Sequence, residues 1–294
     1  MLKIDEFLDY LRCELNRSPR TVDSYAEDLK SFEAYFKNLS VSLSWETIDS
    51  DVIRNWMESM MDRGNKASSV SRRLSALRTF YRFALTRHLV SSDPAHKIRP
   101  PKKDKVLPQF LKENEVDMLL DDSGWGDGYE DVCARAIITV FYETGIRLSE
   151  LIGLVDGAVD FANREIKVVG KGNKQRIVPF GDELEHTLQE YLKLRDEMVE
   201  KKDSSLFLTI KGKRFSPSTV RNIVKRCLSR VCSLKKRSPH VLRHTFATAM
   251  LNHNAEIESL KKLLGHAKLS TTEIYTHTTF EQLKRVYTEA HPRA

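Results

Sequence analysis

Cysteine is scarce in this sequence, acidic residues are missing from two long stretches, and no apolar run is long enough to cross a bilayer. The four cysteines, Cys13, Cys133, Cys227 and Cys232, form no CxxC pair and no plausible disulfide ladder. That excludes a disulfide-stapled secreted scaffold and makes a reducing cytoplasm the expected compartment. Residues 1–14 carry charges throughout and lack a secretory apolar core, so no signal peptide is expected. The longest apolar run, around Ala136 to Tyr142, is far too short for a membrane span. No internal repeat and no low-complexity segment is present. GxSxG and HExxH are both absent, which leaves a serine-hydrolase elbow and a zinc-hydrolase helix without their motifs.

The missing acids are the more informative absence. From Ser204 to Ala255 there are eleven Lys or Arg and no Asp or Glu, and from Lys66 to His88 six basic residues and again no acid. Residues 113–165 are, by contrast, acid-rich. The formal net charge of +7 over 294 residues is therefore segregated along the chain, the electrostatic footprint expected of a nucleic-acid partner. With 40% hydrophobic and 30% charged residues, the composition is that of a soluble globular protein.

Length allows two domains. Residues 1–95 read as all-helical. Ile4, Phe7, Leu8, Leu11 and Leu15 give a first stripe that Arg17-Ser18-Pro19 is expected to end, and Thr21 is expected to open a second helix with Tyr25, Leu29, Phe32 and Phe36. Val52, Ile53, Trp56, Met57 and Met60 mark a third. Ser68 or Ser69 is expected to cap a fourth, carrying Val70, Leu74, Leu77, Phe80, Tyr81 and Ala84. Its polar side presents Arg72, Arg73, Arg78 and Arg82, candidates for phosphate contact. Residues 96–106 read as a basic linker with Lys102 and Lys103, because proline removes donors and favours extended chain. A second, α+β domain is expected over 107–294. In it, Ile166 to Val169 and Arg176 to Pro179 pair about the turn GKGNK, 184–198 form an amphipathic helix, and Leu206 to Ile210 add a short strand. Ser216 to Arg230 form a basic helix capped by Ser216 or Ser218, with Arg221 and Lys225 on it and Arg214 just before it. A final helix over 280–291 carries one apolar face, suited to docking on a neighbouring subunit or to folding back on its own domain.

The chemistry concentrates between Ser238 and Tyr275. Pro239 suits the first position of a helix, on which His240, Arg243 and His244 stand at i, i+3 and i+4 and share a face. Leu260, Leu263 and Leu264 then lead into Gly265-His266, a helix stop, and Tyr275 follows nine residues later. A guanidinium, imidazoles and a phenol gathered this closely point to a site that handles phosphate. The pair His240 and His244 also has zinc-ligand spacing, but the glutamate of HExxH is missing and the arginine between them would repel a cation.

The order HxLRHTFAT, then LLGHxxLSTTxxYTH, preceded by TGIRLSEL, resembles the signature of the tyrosine recombinases, the phage integrase family, and the GKGNKxRxVP hairpin, SSDPAxxI and AHPRA place it near the Xer type. The resemblance implies a mainly α fold with a small β-hairpin: a helical core-binding domain, then a catalytic domain. It implies a metal- and ATP-independent site-specific recombinase with no cofactor, forming a 3′-phosphotyrosyl link through Tyr275. Arg147 and Arg243 would be the cations on the phosphate, His240 would handle protons, and His266 would bind phosphate. Lys171 would be the acid for the 5′ oxygen, with Lys174 its rival in the same turn. Glu150, one turn beyond Arg147, is placed to orient an arginine or to form a plain surface ion pair. His244 and His277 match neighbouring positions of the motif without an essential role. The expected partner is a double-stranded DNA site bound by a homo- or heterotetramer on two such sites. A second recombinase and a DNA-translocase activator belong to the same expectation, at the nucleoid and not at a membrane. The implied role is chromosome dimer resolution through a Holliday junction. An integrase of a phage or conjugative element is the alternative, although the chain leaves no room for the arm-binding domain such integrases often carry. A DNA-binding regulator that has the fold but recombines nothing is a second alternative, and a type IB topoisomerase would share the chemistry.

Overall fold

The computed structural model describes residues 4–102, 108–265 and 277–293, and of residues 122, 171 and 277–281 it describes the backbone only. Lys103, His266 and Tyr275 thus lie outside the described residues. The chain divides into two compact units, Met1–Val106 and Leu107–Ala294.

The first unit is helical: α1 (Ile4–Asp9), which runs on into a π turn over Tyr10–Glu14, α2 (Pro19–Leu39), α3 (Ser50–Asp62) and α4 (Ala67–Thr86). The stretch Arg17-Ser18-Pro19 is where α2 begins, two residues ahead of the expected Thr21. Ser18 is its N-cap and accepts from the Thr21 amide at 3.4 Å, and Pro19 takes the first helical position, where its missing N–H costs nothing. Asp49 caps α3 by accepting from the amides of Asp51 and Val52 at 2.9 and 3.0 Å. Ser68 and Ser69 cap nothing; they lie inside the first turn of α4, which starts after Lys66 without a side-chain cap. The apolar stripes meet in one aromatic core in which Phe32, Phe36, Trp45, Trp56, Phe80 and Tyr81 are all buried, each worth roughly 1.5–3 kcal/mol relative to exposure. Trp45 comes from the α2–α3 connection and packs at a tilt with its ring 4.6 Å from that of Phe80, while Tyr81 donates to its carbonyl at 3.2 Å. Ala95 and Ile98 are buried in the same core. The proline-rich segment is therefore anchored to this unit through Ile98.

The second unit contains α5 (Glu113–Leu120), α6 (Tyr129–Thr144), α7 (Leu148–Ile152), β1 (Val159–Asp160), β2 (Glu165–Val169), β3 (Gln175–Pro179), α8 (Asp182–Met198), α9 (Pro217–Val231), α10 (Pro239–Asn252), α11 (Ile257–Leu264) and α12 (His277–Ala290). Helix α6 is buried on nearly every side, which is why its sequence reads as an apolar run and not as a stripe. The strands form an antiparallel sheet in the order β1-β2-β3, with Val168 opposite Arg176 and Val169 opposite Gln175. The segment Leu206 to Ile210 is not a strand. It makes one isolated bridge, Leu208 with Arg214, and another, Val155 with Ser205, falls just ahead of it. Its backbone is satisfied piecemeal: the Tyr191 hydroxyl donates to the Leu206 carbonyl at 3.1 Å and accepts from the Leu208 amide at 3.0 Å, the Leu206 amide donates to the Leu154 carbonyl, and the Leu208 carbonyl accepts from Tyr129. No helix among the described residues is long and apolar enough to cross a membrane.

Helix α12 folds back on its own domain in the single chain. Leu283, Tyr287 and Ala290 are buried with Phe246, Met250, Leu263 and Leu264, because an apolar face of this size is covered by whatever lies nearest. Two buried titratable groups sit beneath it. Glu143 accepts from the Gly181 amide at 3.0 Å and from the Tyr287 hydroxyl at 3.2 Å, and His291 stacks on the Tyr287 ring at 4.9 Å. Burial pushes the Glu143 carboxyl up from its ordinary 4.5 to about 8; Glu183 adds to the shift, while Gly181, Tyr287 and Arg293 oppose it. Burial pulls His291 down from 6.5 to about 3, against a backbone hydrogen bond with Tyr142 and helped by the charges of Arg293 and His253. The two act in opposite senses. Between pH 4.5 and 8 the folded chain holds a proton on Glu143 that the unfolded chain has released, so stability falls as pH rises. Between pH 3 and 6.5 the unfolded chain protonates His291 and the folded chain does not, so stability rises with pH. The sum is a plateau between about pH 4.5 and 6.5 with a decline on either side. Thermal denaturation across pH is expected to show that plateau, and Glu143→Gln to remove the alkaline decline. An unchanged alkaline limb in the variant would contradict the assignment.

Candidate active site

The site is built where α6 stops. Gly145 ends that helix in the left-handed region at φ 58°, and a Cβ there would lie 2.5 Å from Cδ1 of Phe246. Only glycine meets both conditions. The reversal places Arg147 at the N-cap of α7, and Glu150, three residues on, closes a capping box by accepting from the Arg147 amide at 2.7 Å. TGIRLSEL is thus a helix stop and a helix start fused, and the turn between them carries the arginine.

Helix α10 supplies Arg243, which is buried with 8% of its surface exposed. Its Nη1 donates to the Gly145 carbonyl and its Nη2 to the Leu264 carbonyl, both at 2.6 Å. His240 and His244 are exposed, so the expected common face is split: the arginine turns inward and the two imidazoles face out. Burial lowers the Arg243 pKa to about 10, with Arg147 and Arg176 adding repulsion, which leaves it charged at neutral pH. Burial also lowers His240, reinforced by His244, Arg243, Arg221 and Arg147. Burial and the surrounding positive charge thus favour the neutral form of that imidazole.

The arginines converge on the end of α11. Three successive carbonyls each receive one guanidinium: Leu263 from Arg176 Nε at 2.8 Å, Leu264 from Arg243 and Gly265 from Arg147 Nη2 at 2.9 Å. A helix C-terminus has orphan carbonyls and a partial negative charge, so it is a natural seat for cations. The turn beyond is closed by Gly265 at φ 64°, where a Cβ would stand 3.1 Å from Arg176 Nη1. One carboxylate joins two of the three. Glu150 receives Arg176 bidentately at 2.8 and 2.9 Å and Arg147 Nη1 at 2.9 Å. Burial tends to raise its pKa, but Arg176 and then Arg147 outweigh that and keep the carboxyl below the usual range. Glu150 is thus a buried orienting group, not a surface ion pair. Three arginines against one glutamate leave positive charge over at the end of α11, which suits a phosphodiester.

Arg176 is the member of this arginine network that motif reading passed over. The signal was present: in β3 it has the parity of Val178, a core-facing position, while Ile177 points out. A charged residue at core parity requires a buried partner.

Lys171 opens the hairpin turn, a 3-10 segment over Lys171–Asn173, and Lys174 closes it exposed. The remaining basic candidates divide. Arg72 pairs with the buried Asp28, donating Nη2 at 2.9 Å, and Arg73 stands 3.6 Å from the same carboxylate. Arg78 donates to the carbonyls of Ala95 and Ile98, and Arg214 to Ser205 and Asp203. These four already have structural work. Arg82, Lys102, Arg221 and Lys225 are exposed, the last two on α9 beside its buried stripe of Val220, Val224 and Leu228.

A helical module ahead of a mainly helical domain, with arginines gathered over a helix terminus, defines a protein of the integrase class. The comparisons agree. Residues 109–282 match the phage integrase family and residues 4–88 the phage integrase N-terminal SAM-like domain. Tyrosine recombinase XerC of Chlorobaculum tepidum is 35% identical, the match covering 99% of this chain and 94% of that one. Tyrosine recombinase XerD of Oceanobacillus iheyensis is 35% identical over 99% of this chain and 98% of its own. Among solved structures, XerH site-specific recombinase bound to palindromic difH substrate superposes with a TM-score of 0.72 at 22% identity, over 97% of this chain and 83% of that one. The chain belongs to the phage integrase family, the tyrosine recombinases, and is a site-specific recombinase.

Proposed function

We propose that the chain recombines two DNA sites through a 3′-phosphotyrosyl intermediate and that its cellular task is the resolution of chromosome dimers. In the cleavage step the Tyr275 oxygen attacks the phosphorus, the P–O5′ bond breaks, and the tyrosine becomes joined to the 3′ phosphate. The departing 5′ oxygen takes a proton from Lys171, and the phenol proton passes toward His240. Arg147, Arg243 and His266 stabilise charge on the non-bridging oxygens. The bond energy stays in the phosphotyrosine, so the step reverses onto a second strand without ATP. Two strand exchanges separated by a Holliday junction complete the reaction in a tetramer on two sites, alone or with a second recombinase and under a DNA-translocase activator.

The observation that carries this reading is the convergence of Arg147 and Arg243 on the carbonyls of Leu264 and Gly265, immediately ahead of His266 in the sequence. An arginine pair fixed before substrate arrives needs no reorganisation in the transition state. The cellular role draws on relatives named XerC and XerD. An integrase of a mobile element would use the same chemistry. The deciding experiment offers the purified protein suicide duplexes from the host's replication-terminus region and from the ends of its mobile elements, without metal or ATP. A covalent band on the terminus duplexes, together with dimer-dependent filamentation in a deletion strain, is expected. Cleavage of mobile-element ends alone would favour the alternative.

The exposed cations of α9 are proposed to contact phosphates or bases, together with Arg82, Lys102, Lys103 and Lys174. Arg221→Ala and Lys225→Ala are each expected to reduce the slope of log K against log salt by about 1, as loss of one phosphate contact does. A salt titration of binding checks this, and an unchanged slope would remove the residue from the interface.

A further inference from the structure

The β2–β3 hairpin carries the turn Gly170 to Lys174; Ile166, Val168 and Val178 bury its inner face in the core, and Arg176 ties it by hydrogen bonds to the arginine site. From β3 its guanidinium reaches two other elements at once: α7 through both oxygens of Glu150, and the end of α11 through the Leu263 carbonyl. The base of the turn lies against the same pair. The Gly170 amide donates to the Lys174 carbonyl at 2.8 Å. A Cβ on Gly170 would stand 3.2 Å from Glu150 Oε1 and 3.8 Å from Arg176 Nη1, so the backbone immediately ahead of Lys171 rests on the ion pair. Arg147 does not need Arg176 in the same way, since it has its own bonds to Glu150 and to the Gly265 carbonyl. Removing the fork would therefore loosen the turn end of the hairpin, while Ile166, Val168 and Val178 stay in the core, more than it disturbs Arg147.

We propose that Arg176 is a positioning residue for proton delivery: by locking β3 to Glu150 and to Leu263 it sets the place of the hairpin turn, and hence of Lys171, relative to the 5′ leaving oxygen. The inference rests on the reading of Lys171 as the acid. Arginine is required because a planar fork holds both carboxylate oxygens and still has Nε for the carbonyl, whereas a lysine ammonium is a point charge that cannot hold all three.

The test compares single-turnover cleavage of a suicide duplex carrying either the natural oxygen or a bridging sulfur at the scissile 5′ position, because a thiolate leaves without protonation. Arg176→Lys is expected to bind DNA normally and to cleave the oxygen duplex roughly 10²-fold slower, the lower end of what a general acid contributes. On the sulfur duplex it should return to within a few-fold of the wild type. Lys171→Ala is the control. If it is rescued by sulfur and Arg176→Lys is equally slow on both duplexes, Arg176 acts on the fold or on the arginines and the inference is overturned. If Lys171→Ala is not rescued, the acid assignment fails and takes the inference with it. Should Arg176→Lys fold poorly, Gly170→Ala provides the same readout. It keeps the buried charges paired and pushes a methyl against Glu150, and is expected to give a smaller slowing that sulfur also removes. A slowing in that variant that persists on sulfur would overturn the inference as well.

Discussion

Tyr275→Phe is expected to abolish the covalent protein–DNA product while leaving DNA affinity within about twofold, since the phenol oxygen is the only atom lost. Removal of a nucleophile costs at least about 10⁴-fold in rate where no other group substitutes for it. The readout is a denaturing gel of the protein with a nicked duplex, run beside a gel shift that measures binding. Retention of a tyrosine-independent band would move the nucleophile elsewhere and undo the proposed chemistry. The variant also supplies an inactive chain for mixing experiments. If only half of the protomers in a tetramer cleave at one time, mixtures of variant and wild type should give partial and not abolished strand exchange.

The second large effect is expected at Glu150. Its carboxylate is almost fully buried and compensates Arg176, itself 7% exposed, and Arg147. Glu150→Ala leaves a buried guanidinium without its counter-charge, a change that costs about 3–5 kcal/mol. At roughly 2–4 °C per kcal/mol for a domain of this size, the Tm should fall by about 6–20 °C. Glu150→Gln keeps the shape and one acceptor and should lose less. Differential scanning of both variants measures the difference, and a shift below about 1 °C in the alanine variant would show that the pair is not holding the site. Cleavage should fall further than stability alone accounts for, because Arg147 loses the carboxylate that orients it.

Much of the protein was readable in one dimension. The stripes of the first domain have strong periodicity and meet in an aromatic core as patterning implies, since any amphipathic helix must bury its apolar side. The hairpin was readable because β2 and β3 alternate cleanly about a glycine-containing turn. Short-range errors arose where two residue roles compete. Ser18-Pro19 serves equally well as a stop for one helix and a start for the next. Leu206 to Ile210 looks like a strand by composition, but side chains such as Tyr191 and Tyr129 supply part of the hydrogen bonding that a neighbouring strand would have given.

What the sequence determined by itself was the class of fold, the segregation of charge, and the family its motifs belong to. These are properties of local pattern and of motif order, and they survive without coordinates. The tertiary structure alone decided how the residues of those motifs act together. Arg147 and Gly265 are 118 positions apart, and Arg176 and Leu263 are 87. No periodicity within a window relates them, because such contacts exist only once α7, β3 and α11 have packed. The same packing turned Arg243 inward from a face it was expected to share with two histidines, made Glu150 the hub of the site, and brought α12 down on its own domain. Burial and charge compensation are set by what surrounds a side chain in three dimensions, and that is the information a linear motif does not carry.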